Sequence, residues 1–216
     1  MVNCKYILLY SFVLVYGKEL FAQTAFLKTI SGSSSDAGYS VIQTPDSGYA
    51  ITGTTSNLGP GAKDVFLLKT DKAGVVEWTK AYGGAGNDYG KSLQLTIDGG
   101  YIIGGYTDSF GSGFDDVYLI KTDSAGNLKW SRTFGGASTE RGNSVSQLSN
   151  GNIIVSGFTY SYGAGSADAF VIMTDSIGNL AFSKTYGGSG YEEIYSSEKT
   201  ADGGFILSGL TSSSGA

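Results

Sequence analysis

The sequence predicts an all-β protein made of repeated four-stranded antiparallel units, and three observations lead to this fold class. Similar segments recur every 52 residues, beginning at Phe26, Trp78, Trp130 and Phe182, and a regular period of this length is typical of repeat folds. The chain has 34 glycines, 15 tyrosines and 11 phenylalanines but only 2 prolines, which suits short strands joined by tight turns. Several predicted strands are apolar on both faces, so each sheet must be covered on two sides.

The period divides the repeat domain, residues 26–216, into four units. These are 26–77, 78–129, 130–181 and a truncated unit 182–216. In the second unit, alternating or continuous apolar segments predict four strands at 78–84, 90–97, 101–107 and 116–122.

The turns between these strands have their own signals. Asp98-Gly99-Gly100 is typical of a tight hairpin that tolerates positive φ. Asp123 followed three residues later by Gly126 predicts a type I turn, in which the aspartate accepts backbone N–H groups and the glycine is left-handed.

Four-stranded sheets stacked face to face in a ring would cover both faces of every sheet, so the sequence predicts a β-propeller with one blade per repeat. A β-solenoid and a β-sandwich are the alternatives. In a propeller the Gly-Gly strand is outermost and the strand after it innermost. Residues 26–32 are then a lone outer strand, three full blades follow at about 38–84, 90–136 and 142–188, and the chain ends after two strands of another blade.

The N-terminus predicts export. Residues 6–17 are a short apolar run preceded by Lys5, and Ala22 is a plausible last residue before cleavage, so residues 1–22 are interpreted as a signal peptide. A buried first strand is the alternative. The single cysteine, Cys4, would be removed with it, and no later segment is apolar enough to span a membrane. We therefore expect a secreted or cell-surface protein.

The repeat pattern also resembles a known family. The sequence W-x-K-x-[YF]-G-G, then D-G-G-[YF]-I-[IL], G-x-T and D-x-[YF]-L-I-K-T-D-x-x-G-N, is similar to the β-propeller repeats of secreted bacterial proteins over residues 26–216. The resemblance implies a propeller fold and export. Members often end in a C-terminal secretion-sorting domain, which is not recognised within these 216 residues, and Met173 replaces the usual lysine in the third unit.

Composition excludes several kinds of chemistry. The chain has no histidine and a formal net charge of −5. Catalytic Ser-His-Asp and Cys-His groups, histidine-based zinc sites and histidine general bases are therefore absent. Without a basic run, nucleic acid is not expected as a partner.

Two kinds of residue mark a possible ligand-binding loop face. Carboxylates recur in the loops at equivalent positions, and the long Gly-rich loops carry aromatic side chains. These candidates are Asp36, Asp88, Glu140, Glu192, Asp64, Asp116, Asp168, Phe110, Phe114, Tyr160 and Tyr162.

The carboxylates have two interpretations. A ring of them could bind sugar hydroxyls or Ca²⁺, although Ca²⁺ needs about six to eight oxygen ligands and no D-x-D-x-D-G loop is present. Alternatively, each carboxylate bonds the backbone of its own loop, and strict repetition favours this structural role. A true site should break the repeat, as do Lys63, Arg141, Tyr191 and Glu193. The alternative for each of these four is an ordinary solvated loop residue.

These features favour a non-catalytic binding, adhesion or scaffold module with a glycan or protein ligand and no cofactor. The alternative is an enzyme acting on polysaccharide through paired loop carboxylates, whose separations would be about 5 Å or 6.5–9.5 Å. An open ring would leave strand edges and an apolar blade face in water. We therefore expect that the chain is a fragment of a longer protein, or that it self-associates to close the ring.

Overall fold

The computed structural model describes residues 35–213, and these residues form fourteen β-strands without a helix. The first sheet contains β1 (Asp36–Gln43), β2 (Tyr49–Thr55), β3 (Asp64–Thr70) and β4 (Val76–Tyr82). The second contains β5 (Asp88–Leu95), β6 (Tyr101–Thr107), β7 (Asp116–Thr122) and β8 (Leu128–Phe134). The third contains β9 (Glu140–Gln147), β10 (Ile153–Thr159), β11 (Asp168–Thr174) and β12 (Leu180–Tyr186), and β13 (Glu192–Lys199) and β14 (Phe205–Thr211) form a two-stranded sheet.

Every sheet is an antiparallel meander in which neighbouring strands follow one another along the chain. The predicted all-β class and four-stranded unit are therefore confirmed. Strands β6 and β7 have the predicted bounds, whereas β4 ends two residues earlier than predicted and β5 begins two residues earlier. The reason is that Gly83 and Gly84 lie in the turn between them, where the Asp88 carboxylate accepts the Gly84 N–H at 2.9 Å.

The sheets pack face to face through apolar side chains. At the first interface, Val65 and Leu67 pack in one buried cluster with Leu93, Ile103 and Ile120 of the next sheet. Equivalent clusters join the second sheet to the third and the third to the last two strands. Because both faces of the middle sheets are covered, β6, β7, β10 and β11 are apolar on both sides, as the sequence predicted.

The first strand of each sheet is the innermost one. Strands β1, β5, β9 and β13 contact one another in succession, whereas the fourth strands lie at the opposite edges of their sheets. The sheets are therefore blades of an incomplete propeller: residues 35–213 form three full blades and half of another, and do not close a ring.

Each innermost strand has a bulge near its start. The register shifts at Tyr39, Lys91, Asn143 and Tyr195. A glycine of the second strand lies opposite each bulge, and a Cβ at Gly105 would be 1.7 Å from the Tyr89 carbonyl oxygen. The repeated glycines Gly53, Gly105, Gly157 and Gly209 thus allow the two backbones to approach closely.

The predicted turn after the third strand of each blade is confirmed. Asp123 Oδ1 accepts hydrogen bonds from Ala125 N at 2.9 Å and Asn127 N at 2.8 Å. Gly126 has a φ of 74°, in the left-handed region that glycine adopts without strain.

The last two strands leave apolar surface in solvent. Only one face of this sheet packs on the third blade, and Tyr195, Ile206 and Leu210 are 54%, 63% and 47% exposed. An open cleft of about 420 Å³ lies between this sheet and the outer strand of the third blade.

Two of the sequence predictions lie outside the described residues: the signal peptide at 1–22 and the lone outer strand at 26–32. Within residues 35–213, no helix is long and apolar enough to cross a membrane.

Candidate functional site

The candidate site lies at the end of the blades where two connections of each repeat run side by side. Backbone hydrogen bonds join the two connections: Asp88 N donates to Lys63 O at 2.8 Å, and Glu140 N donates to Asp115 O at 2.7 Å. The two sets of loops therefore emerge on one face.

The carboxylates at the start of the innermost strands hold the Gly-Gly turns. Asp88, Glu140 and Glu192 are buried. They accept the N–H of Gly84, Gly136 and Gly188 at 2.9, 2.6 and 2.9 Å. The equivalent Asp36, which is partly exposed, accepts two hydrogen bonds from the Asn57 side-chain amide.

The carboxylates at the start of the third strands hold the long loops. Asp64, Asp116 and Asp168 are also buried. They accept the N–H of Gly61, Ser112 and Gly165 at 3.1, 2.8 and 3.1 Å. Each of these carboxylates therefore fixes the conformation of its own loop.

Carboxylates from adjacent blades face each other across a glycine. A Cβ on Gly83 would lie 2.4 Å from Asp64 Oδ1 and 2.4 Å from Asp88 Oδ2. Asp116 and Glu140 flank Gly135 in the same way, and Asp168 and Glu192 flank Gly187. Any larger residue at these positions would collide with both carboxylates.

This environment disfavours the charged form of Asp64 and Asp116. Burial raises the pKa of Asp116 to about 6, and the nearby charges of Glu140 and Asp115 add to the effect. Burial also raises the pKa of Asp64, with a further contribution from the charge of Asp88. Six of the seven candidate carboxylates thus lie inside the protein and do not line an exposed surface. Among the described residues, no group of three or more acidic side chains is arranged to hold a metal ion.

Two of the four candidate aromatic residues pack over the Gly-Gly turns, and all four are partly exposed. Phe110 packs on Tyr118 with ring centroids 5.7 Å apart, and Tyr162 packs on Phe170 at 5.9 Å. Both cover a Gly-Gly turn, since Gly84 approaches Phe110 and Gly136 approaches Tyr162. All four rings are accessible: Phe110, Tyr160 and Tyr162 are 43%, 45% and 47% exposed, and Phe114 is 73% exposed.

A first cluster of residues that are not repeated lies between the first three blades. The rings of Tyr89 and Tyr106 are stacked, with centroids 4.6 Å apart and planes at 23°. Lys63 Nζ lies 3.1 Å from the Tyr89 hydroxyl, and the Arg141 guanidinium lies 4.5 Å from the Tyr106 ring centroid. Two nitrogens of Arg141 donate to Asp115 Oδ2, at 2.6 and 2.8 Å.

A second cluster continues the first toward the last sheet. The rings of Phe158, Tyr160 and Tyr191 lie 5.7 to 6.4 Å from one another. The Tyr191 hydroxyl donates to Glu193 Oε2 at 2.7 Å. Burial and this bond to Glu193 raise the pKa of Tyr191 well above its ordinary value. The two clusters are adjacent because Arg141 and Phe158 are paired residues of β9 and β10.

We call the two clusters together the variable band, because equivalent positions of the repeat carry different residue types. The second residue of the innermost strand, for example, is Ala37, Tyr89, Arg141 or Glu193. The band consists of Lys63, Tyr89, Tyr106, Asp115, Arg141, Phe158, Tyr160, Tyr191 and Glu193.

The structure brings together all four residues that the sequence singled out as breaking the repeat: Lys63, Arg141, Tyr191 and Glu193. Four residues of the band were not predicted from the sequence: Tyr89, Tyr106, Asp115 and Phe158. An alignment of the units at the 52-residue offset contains a signal for them, since Thr54, Tyr106, Phe158 and Leu210 are equivalent, as are Lys63, Asp115 and Ala167.

Comparisons with known proteins support the fold and leave the activity open. No family model matches the chain. The chain is 27% identical over 159 residues to the Regulatory protein FlaEY of Caulobacter vibrioides, a match that covers 65% of this chain and 17% of that protein. The chain therefore spans about a sixth of the length of that relative.

Several solved structures are similar to this chain. A protein of unknown function from Bacteroides caccae has a TM-score of 0.54 and 11% identity, over 84% of this chain and 56% of that one. This likeness shows the fold alone. Sqt1 from Chaetomium thermophilum has a TM-score of 0.41 and 15% identity, over 78% of this chain and 39% of that one, and a likeness this weak supports no argument. Fold and comparisons together define the described residues as a repeat β-scaffold of the propeller type.

Proposed function

We propose that this protein is an exported, non-catalytic β-propeller repeat protein that binds a glycan or protein ligand at the cell surface through the variable band. The observation that carries the proposal is that the residues that break the repeat gather in one continuous group. Residues that recur in every blade hold loops and strands in place, as the carboxylates and glycines do. Export rests on the predicted signal peptide at residues 1–22.

The chemistry of the band suits ligand binding. Tyrosine offers a large, rigid contact surface with a polar hydroxyl, and arginine offers several directed N–H donors, so both are enriched where binding energy is concentrated. The side chain of Arg141 is 41% exposed, and Tyr160 is 45% exposed. The neighbouring carboxylates fix the loops that carry the band, which lowers the entropy lost on binding.

The alternative, an enzyme acting on polysaccharide, would need two carboxylates that reach the substrate. Asp64 Oδ1 and Asp88 Oδ2 each lie 2.4 Å from one point, so they are at most 4.8 Å apart, near the separation used by retaining glycosidases of about 5 Å. However, neither residue has exposed surface. A sugar could not contact this pair without opening the interface between the blades, which supports the non-catalytic proposal.

Binding is tested with the purified protein on an array of bacterial polysaccharides and surface proteins, followed by titration of each hit. Arg141→Ala and Tyr160→Ala remove exposed parts of the band, and Lys72→Ala is the matched control in an exposed turn at the opposite end of the first blade. We expect Arg141→Ala to weaken binding by about 10- to 30-fold, as at binding hot spots, and Lys72→Ala to leave it unchanged.

Two results would contradict the proposal. One is a ligand whose affinity is the same for the Arg141, Tyr160 and Lys72 variants, because the band would then not be its site. The other is release of reducing sugar from a bound polysaccharide that disappears in Asp88→Asn, because that would support the enzyme instead.

A further inference from the structure

The carboxylate pair between the first and second blades differs from the other two pairs. Asp88 occupies the position that Glu140 and Glu192 occupy in the following blades, and its side chain is one methylene shorter. Among residues 35–213, Asp64 Oδ1 and Asp88 Oδ1 have no hydrogen-bond partner, and neither residue has exposed surface.

The longer glutamates reach donors on the neighbouring strand that Asp88 does not reach. Glu140 Oε1 accepts hydrogen bonds from the Thr159 hydroxyl at 2.7 Å and from Ser161 N at 3.0 Å. Glu192 Oε1 accepts the equivalent bonds from Thr211 and Ser213, at 3.0 and 3.1 Å.

Thr107 and Ser109 stand at the same positions of the second blade. There the Ser109 hydroxyl donates to Asp88 Oδ2 at 2.8 Å, and Ser109 N donates to Thr107 at 2.9 Å. Within the described part of the chain, neither Thr107 nor Ser109 donates to Asp88 Oδ1. The shorter side chain of Asp88 thus leaves one carboxylate oxygen without the two hydrogen-bond donors that Glu140 and Glu192 use.

Two unpartnered carboxylate oxygens in a dry interface are unfavourable unless something balances them. The carboxylates of Asp64 and Asp88 face each other across Gly83, the Ser109 hydroxyl bonds to Asp88 Oδ2, and the Thr107 hydroxyl bonds to Ser109 N. All of these side chains offer oxygen ligands. Oxygen donors select hard cations, and two carboxylates neutralise a divalent one. Ca²⁺ tolerates an irregular shell of about six to eight oxygens, whereas Mg²⁺ requires a near-octahedral one.

We propose that Asp64 and Asp88 form a Ca²⁺ site between the first two blades, with the hydroxyls of Thr107 and Ser109 as further ligands. In the following two interfaces, Glu140 and Glu192 with their two hydrogen-bond donors each take the place of the ion. Bound Ca²⁺ joins the third strand of one blade to the innermost strand of the next. It therefore stabilises the first interface without taking part in ligand binding at the band.

The site is tested by titrating the chelator-treated protein with CaCl₂ and measuring both stoichiometry, by equilibrium dialysis, and thermal unfolding. We expect one Ca²⁺ per chain, and an increase in Tm of about 5–10 °C when free Ca²⁺ exceeds Kd by 100-fold. MgCl₂ at equal ionic strength is expected to give less than a tenth of the affinity.

Two reciprocal variants make the test specific. Asp88→Glu copies the second interface and should bind no Ca²⁺, while its Tm in chelator should exceed that of the wild type. Glu140→Asp copies the first interface and should raise the stoichiometry from one to two. Circular dichroism establishes that each variant is folded, and if Asp88→Glu does not fold, Glu140→Asp decides the question.

Several outcomes would overturn the proposal. These are the absence of Ca²⁺ binding at millimolar concentration, unchanged binding in Asp88→Glu, or a stoichiometry of one in Glu140→Asp. The proposal would also be overturned if the wild-type Tm did not change with Ca²⁺ but rose on acidification, and if Asp88→Glu showed no such rise. The two aspartates would then share a proton.

Discussion

Replacing Asp116 by asparagine is expected to remove a pH-dependent loss of stability from the interface between the second and third blades. The pKa of Asp116 in the folded protein is about 6, against an ordinary value of 3.8. Because the folded state binds this proton more tightly than the unfolded state, the stability falls as the pH rises from about 4 to about 6 and then levels off. A difference of roughly two pKa units corresponds to about 3 kcal/mol above pH 6.

Asparagine keeps the part of the side chain that the loop needs. Its carbonyl oxygen can accept the Ser112 N–H, which lies 2.8 Å from Asp116 Oδ2, and its amide can donate to the nearby Glu140. We therefore expect Asp116→Asn to be more stable than the wild type by about 1–3 kcal/mol at pH 7, and nearly equal to it at pH 4.

The assay is urea unfolding followed by tryptophan fluorescence between pH 4 and pH 8. Asp123→Asn is the contrasting variant, because Asp123 has a lowered pKa owing first to its backbone hydrogen bond from Asn127, so this substitution should destabilise the protein at pH 7. If the wild type and Asp116→Asn have parallel stability curves across this range, or if the variant is the less stable at pH 7, the reasoning is refuted.

Three further predictions concern packing. Gly135→Ala places a Cβ 1.8 Å from a buried carboxylate oxygen, so it should lower the free energy of unfolding by about 3 kcal/mol or more; a variant whose Tm matches the wild type would contradict this. Lys121→Met breaks a contact of 2.5 Å between the buried Lys121 ammonium and the half-exposed Asp98 carboxylate and should cost about 1–3 kcal/mol. Most of this is regained in Lys121→Met/Asp98→Asn because the third blade has Asn150 and Met173 at these positions; additive losses in the double-mutant cycle would refute the coupling. Ile206→Lys/Leu210→Lys should shift the protein from oligomer toward monomer in light scattering, since both residues are exposed apolar groups on the last sheet; an unchanged mass would show that this face does not associate.

The sequence predicted the blades well because their determinants are local. The alternating segments and the Asp-Gly turns each act within one hairpin, so β6 and β7 have the predicted bounds. The start of β5 was missed by two residues because the backbone of Asp88 bonds to Lys63, a residue of the preceding blade. Contacts between blades do not appear in the periodicity of a single strand.

The variable band could be predicted only in part for the same reason. Lys63 and Arg141 stood out because they differ from their counterparts, but 78 positions separate them in the sequence. Tyr89 and Tyr106 stack because β5 and β6 pair in one particular register. Aspartate at position 88 and glutamate at position 140 look like a conservative difference in the sequence. Only the positions of Thr107 and Ser109 in the structure show that the missing methylene costs Asp88 two hydrogen bonds.

The carboxylates that face each other across Gly83, Gly135 and Gly187 have a consequence for how such a protein can evolve. We call each such glycine with its two carboxylates a joint between blades. Each joint uses residues at fixed offsets within two consecutive units, so duplication or deletion of a stretch of 52 codons would recreate a complete joint at the new boundary. Unequal recombination between the repeats could thus change the number of blades in a single event without new contacts having to arise. Divergence could then accumulate in the few positions between the joints, which is where the units of this chain differ.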